Sequence, residues 1–128
     1  MVNTALKRSD FKYKVQMSEW ITLNVGGTKF TTRRSTLTYD PNSILAKMFG
    51  HEGTMEKPDK DKDGAYLIDS DPTYFRPVLE YLRTGGLVVL DHGVNIEGVI
   101  AEAKYFCIVE LVKELVEMRN EEKRSKNM

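Results

Sequence analysis

Residues 20–43 read W-I-T-L-N-V-G-G-T-K-F-T-T-R-R-S-T-L-T-Y-D-P-N-S, a β-hairpin that runs into the start of a capped helix. Ile21, Leu23 and Val25 alternate with Thr22 and Asn24, the period of a strand with one buried face. After Gly26-Gly27 the alternation resumes with Thr28, Phe30 and Thr32. A two-residue Gly-Gly loop suits a primed turn, whose central residues take positive φ without steric penalty in glycine. That turn predicts the register: Val25 opposite Thr28, Leu23 opposite Phe30 and Ile21 opposite Thr32. Gly-Gly-Thr-Lys resembles the end of a phosphate-binding loop only superficially, because the full G-x-x-x-x-G-K-[ST] order is absent and a strand, not a helix, follows. The stretch carries no nucleophile or metal cluster, so it points to assembly and not to chemistry.

Outward from the hairpin, Ser35–Leu37 reads as a short helical turn. Asp40-Pro41-Asn42-Ser43 offers capping side chains, with proline expected in the first turn of the helix that carries Ile44, Leu45, Met48 and Phe49. A polar loop over 50–64 leads to Ala65-Tyr66-Leu67-Ile68, a short buried strand. Asp71 then caps a helix that starts at Pro72 and buries Phe75, Val78, Leu79 and Leu82, with Gly85-Gly86 as its stop. Pro77 lies inside that helix and removes a hydrogen bond, at a cost on the order of 3 kcal/mol. Either the helix bends there or another group meets the freed carbonyl. Leu87–Leu90 reads as a further short strand. Two helical stripes follow, Ile96, Val99, Ile100, Ala103 and Phe106, then Leu111, Val112, Leu115 and Met118, with a break near Cys107-Ile108. The order of elements describes an α/β or α+β domain, a small sheet flanked by helices.

The 128 residues are one domain's worth. Residues 1–18 read as a flexible basic leader, 19–119 as the folded domain and 120–128 as a charged tail. The chain is neutral overall, with 19 basic and 19 acidic residues, yet its basic groups gather at the ends and residues 18–118 hold 11 against 16. An acidic body argues against a nucleic-acid surface. No segment approaches the 18 to 20 apolar residues that span a bilayer, and the amino terminus lacks the apolar core of a signal peptide, so a cytoplasmic protein without membrane insertion is expected. The single cysteine, Cys107, excludes an internal disulfide; between Phe106 and Ile108 it is expected to be a small buried hydrophobe.

Motifs that could carry chemistry fail one by one. Asp59-Lys60-Asp61-Lys62-Asp63-Gly64 reproduces the first half of a calcium-binding EF-hand loop, but position twelve is Ser70 and Pro58 blocks the entering helix. His51 and His92 lie in separate loops without a partner at ligand spacing. Asp69 and Asp71 have a simpler task at a helix start, where carboxylates accept orphan N–H groups. No cofactor, metal or catalytic residue is expected, and the chain reads as non-enzymatic. Tyr66, Tyr74, Phe75, Tyr81, Tyr105 and Phe106 are more aromatic positions than one small core requires, and exposed aromatics anchor protein interfaces.

Four ordered blocks resemble one family: L-N-V-G-G-T-K-F-T-T-R-R-S-T-L, D-P-N-S-I-L-A-K-M-F, G-A-Y-L-I-D-S-D-P-T-Y-F-R-P-V-L-E-Y-L-R-T-G and E-A-K-Y-F-C-I. They look like the BTB/POZ domain, of the potassium channel tetramerisation type, found in the KCTD proteins. The resemblance covers about residues 19–119 and accounts for Pro77 as part of an F-x-P-V-L helix. It implies a three-stranded sheet with a helical cluster, closed homo-oligomeric rings of four or five subunits, and service as a substrate adaptor for cullin-3 ubiquitin ligases. The alternative it allows is a pure oligomerisation module of a channel, receptor-accessory or scaffold protein. Where the family often has I-D-R-D-P this chain has Ser70, so one ion pair is expected to be missing. On this resemblance Thr28, Arg33, Arg34, Asp69, Asp71 and Arg83 are candidates for the subunit interface. Phe49, His51, Tyr105 and Phe106 are candidates for contact with the ligase.

Overall fold

The computed structural model describes residues 19–127; the expected leader over 1–18 lies outside the described residues. Strands β1 (Trp20–Val25) and β2 (Thr28–Arg33) form the hairpin. The pairs are Val25 with Thr28, Leu23 with Phe30 and Ile21 with Thr32, as the glycine turn predicts. Gly26 and Gly27 both have positive φ, +55° and +98°. Ile21, Leu23, Val25, Phe30 and Thr32 are all buried, so the register sends a single face into the core. The turn itself is docked: the Gly26 N–H donates to the Ile68 carbonyl at 3.1 Å, and a Cβ at Gly26 would collide with the Ser70 carbonyl.

Two short helices follow, α1 (Arg34–Leu37) and α2 (Ile44–Phe49). Ser43 is the cap of α2, its Oγ accepting from Ala46 N at 3.1 Å. Pro41 therefore falls before the helix and not in its first turn, inside a turn where Asp40 Oδ1 accepts from Asn42 N. Strand β3 (Tyr66–Ile68) pairs parallel to β1, which gives the sheet order β2-β1-β3. Helix α3 (Pro72–Arg83) starts at its capping Asp71, whose Oδ1 accepts from Thr73 N at 2.9 Å, and runs unbroken past Pro77. Helices α4 (Ile96–Tyr105) and α5 (Val109–Lys126) complete the α+β domain.

The apolar stripes expected on α3 and α4 meet over the sheet. Phe75 is central: its ring packs edge-on to Phe30 on one side and Phe106 on the other, at centroid distances of 5.3 and 5.6 Å. Burying an aromatic side chain of this size stabilises by about 2 to 3 kcal/mol, with up to about 1 more from edge-to-face geometry.

Two further expectations are corrected. Leu87–Leu90 forms no strand; Val88 and Leu90 lean on the core while Leu87 and Val89 are exposed. The run lies outside the β2-β1-β3 sheet as an extended segment laid on the core, alternately exposed and half-buried. Cys107 is exposed and not buried. It occupies the left-handed region at φ +59°, which turns its side chain outward while Phe106 and Ile108 on either side stay buried. Charged residues after Arg119 continue α5 to Lys126, with Glu117–Arg124 and Glu122–Lys126 pairs along it.

Candidate functional site: an assembly face and a helix corner

The loop that imitates half a calcium site is tied back onto the hairpin. Asp61 Oδ2 accepts from Asn24 Nδ2 at 2.8 Å, and its Oδ1 accepts from the N–H groups of Asp63 and Ala65. The hydrogen bond from Asn24 is the main reason the Asp61 carboxyl is held below its ordinary value. Lys29 Nζ reaches Asp63 at 2.7 Å, and this hydrogen bond raises the lysine's affinity for its proton. These carboxylates thus tie the loop to the open face of the hairpin instead of converging on an ion, and among the described residues no cluster of His, Cys, Asp or Glu could hold a metal.

The six assembly candidates do not share one patch. Thr28, at the hairpin turn, lines a groove with Pro72, Thr73 and Arg76, beside the exposed Asp69 and Asp71. Arg33 sits at the far end of β2, its guanidinium 4.7 Å from the centroid of the exposed Trp20 ring. Arg83 is at the other end of α3 from Asp71 and pairs with Glu80. Arg34 is different in kind. It is 9% exposed and donates to the Phe49 carbonyl and the Glu19 carboxylate, fastening α1 to the end of α2 and to the chain entering β1. Its side chain is committed within the protomer, which corrects its assignment to a surface. The hydrogen bond from Arg34 also holds the Glu19 carboxyl below its ordinary value.

Of the partner-contact candidates, Phe49 and Phe106 are fully buried. Phe49 packs edge-on to Tyr66 and Phe106 to Phe75, so both act as supports and not as contacts. His51 is exposed, past the end of α2, with Nε2 4.0 Å from Glu19. Tyr105 is as exposed as Trp20, at 59%, and sits at the last position of α4 with its ring braced edge-on against Phe106 at 4.9 Å. Beside it the α4–α5 corner forms an apolar groove of about 300 Å³ lined by Cys107, Val109 and Val112 and flanked by Lys104 and Lys113. Hydrophobic stripes gave no hint of Cys107 and Val109, because a corner exposes residues that belong to neither helix face. The backbone anchors this corner, with Ile44 N donating to the Phe106 carbonyl at 2.9 Å.

A mixed three-stranded sheet docked under a helical cluster, with a braced aromatic exposed at a helix corner, has the make-up of a protein-interaction domain. Comparison with known proteins agrees. The BTB/POZ domain family matches residues 21–116. KCTD5 of Rattus norvegicus, described as a BTB/POZ domain-containing protein, is 48% identical over 110 residues, 86% of this chain and 46% of its own length. KCTD9 of Mus musculus is 50% identical over 99 residues, 77% of this chain and 29% of its own length. KCTD17 of Homo sapiens is 46% identical over 105 residues, covering 82% and 32%. The chain belongs to the BTB/POZ family, in the potassium channel tetramerisation-type branch that contains the KCTD proteins. It spans less than half the length of these relatives.

Proposed function

We propose that this domain is a cytoplasmic, non-enzymatic adaptor that closes on itself into a ring of four or five copies and presents cullin-3 with the α4–α5 corner, while a substrate is held elsewhere. The domain comprises residues 19–119, between a basic leader and a charged tail. The observation that carries the reading is Tyr105. A large aromatic, mostly exposed yet immobilised against buried Phe106, loses little side-chain entropy on docking, which is the profile of an interface anchor. The groove beside it supplies apolar surface, and Lys104 and Lys113 supply a positive rim suited to an acidic-edged partner helix. A ring multiplies this one contact, so that weak individual sites gain avidity. Thr28, Asp69, Asp71, Arg33 and Arg83 are the residues proposed to face neighbouring subunits.

The test is capture of the cullin-3 amino-terminal domain by the 128-residue chain, with mass by light scattering on the same sample. Tyr105→Ala is expected to weaken capture by about 2 kcal/mol, roughly 30-fold, while leaving the oligomer's mass unchanged. An intact oligomer that does not bind cullin-3 would refute the adaptor reading and leave a pure assembly module.

A further inference from the structure

The first half of β1 has no strand beside it on the β3 side, because β3 pairs with Leu23, Asn24 and Val25 alone. The chain ahead of β3 reverses in a tight turn, with Gly64 at φ +89°, Gly64 N donating to the Asp61 carbonyl and Asp61 N to the Ala65 carbonyl. Lys60 thereby comes back antiparallel to Tyr66, and the segment does not run along Trp20–Thr22. The hairpin register sets what this bare edge presents. Val25 and Thr28 flank the two-residue turn and exchange hydrogen bonds, as do the pairs Leu23–Phe30 and Ile21–Thr32. Trp20 and Thr22 alternate with them, so their N–H and C=O groups point away from β2, toward the open side. Among the described residues no strand meets the N–H groups of Trp20 and Thr22 or the Trp20 carbonyl.

A groove of about 340 Å³ lies along this edge, lined by Trp20 and Thr22 from β1 and by Lys60, Ala65 and Tyr66 from the segment that enters β3. Two of the cations that line it are committed within the protomer, Arg34 to Glu19 and Lys29 to Asp63 at 2.7 Å. Lys60 is not. Its Nζ lies 5.0 Å over the Tyr66 ring, and among the described residues no carboxylate pairs with it. On the opposite face of the sheet Trp20 is exposed, its ring held 4.7 Å beneath the Arg33 guanidinium.

We infer that this edge is a docking site for an extended, acidic segment of a partner protein, which adds to β1 as a short strand beside Trp20–Thr22. Main-chain hydrogen bonds to the bare edge supply affinity in this mode, and alternate side chains supply specificity. Successive side chains of an added strand point to opposite faces of the sheet. One of them, an aromatic, lies on Trp20; its neighbours in sequence are carboxylates that meet Lys60. The acidic character of the occupant follows from Lys60, the cation in the groove that no carboxylate of the described residues neutralises. The site is separate from the Tyr105 corner and stands whether or not cullin-3 binds there.

The test uses the full 128-residue chain and a synthetic pentapeptide, acetyl-Thr-Glu-Phe-Glu-Thr-amide, followed by amide hydrogen exchange and NMR titration. In the free protein the Trp20 and Thr22 amides are expected to exchange faster than those of Ile21 and Leu23, which are bonded to β2. The peptide is expected to slow both and to shift the Trp20 indole resonance. Trp20→Ala and Lys60→Glu should each weaken binding about tenfold. Exchanging the peptide's glutamates for lysines should do the same. Methylating the backbone nitrogens of two successive peptide residues blocks a donor facing β1 without altering a side chain, and should abolish binding. Unchanged exchange at Trp20 and Thr22 in millimolar peptide would overturn the proposal, as would equal binding by the lysine or the methylated peptide. Tyr105→Ala should bind the peptide as the wild type does; loss of binding there would place the peptide at the other corner and equally overturn it. Lys60→Glu, at an exposed position, decides the matter if Trp20→Ala does not fold.

Discussion

Replacing Gly26 by asparagine sets turn chemistry against docking. In an isolated hairpin the change would be neutral or favourable, because Asn-Gly is a preferred pair for a two-residue primed turn and asparagine tolerates the left-handed region. Gly26 sits at φ +55°, where asparagine is at home. Its loss of unfolded-state freedom alone would stabilise by about 0.5 kcal/mol. The fold adds a wall, since a Cβ there meets the Ser70 carbonyl and then Pro72 Cδ at 3.2 Å. To relieve the collision the turn must back away and stretch the 3.1 Å bond from Gly26 N to the Ile68 carbonyl. Loss of that bond, with partial access of water, costs about 1 to 3 kcal/mol. The net expectation is destabilisation by about 2 kcal/mol. With a urea slope of about 2 kcal/mol/M, the unfolding midpoint of Gly26→Asn should fall by about 1 M. A midpoint equal to or above that of the wild type would refute the reasoning, because it would show that the turn is not pressed against the β3–α3 junction.

Two further outcomes are expected. The Glu19 carboxyl, held low mainly by the hydrogen bond from Arg34, contributes stability that is present above its ordinary value near 4.5 and lost as pH falls through the folded value; Glu19→Gln should therefore flatten the acid limb of the thermal stability curve, and an unchanged limb would remove Glu19 from the account. Cys107 should react with a bulky maleimide in the native protein, since it is exposed, and the adduct should block capture of cullin-3 if the adjoining groove is the docking surface; unimpaired capture by labelled protein would place docking elsewhere.

The parts of the fold legible in the sequence are those governed by local periodicity. Ile21, Leu23 and Val25 with Gly26-Gly27 suffice for the hairpin and its register, and Phe75, Val78, Leu79 and Leu82 suffice for the buried side of α3. What escaped depends on which segments meet. Leu87–Leu90 is a short apolar run of the kind a buried strand carries, yet in the fold it pairs with none of the three strands. Arg34 looks like any basic residue after a strand until Phe49 and Glu19 are brought to it. Glu102 lies three residues after Val99 and four before Phe106 on the buried stripe, and only the fold shows that a carboxylate at that position is buried. At the candidate partner site, the aromatic pair Tyr105-Phe106 was evident, but which ring faces outward was decided by the corner at Cys107.

The parallel pairing of β1 with β3 has a consequence for how the chain finds its fold. The hairpin joins neighbours in sequence, whereas Leu23 and Tyr66 are 43 residues apart. A hairpin can form within about 1 to 10 μs, but a contact of that separation must await closure of a long loop. Until then the edge of β1 that will receive β3 is bare, a row of unpaired backbone groups of the kind that invites pairing with another chain. In a protein whose relatives are interaction modules, the same strand that becomes the centre of the sheet is, early in folding, its most vulnerable edge. Once the segment ahead of β3 arrives, the bonds from Asn24 to Asp61 and from Lys29 to Asp63 tie it to the hairpin.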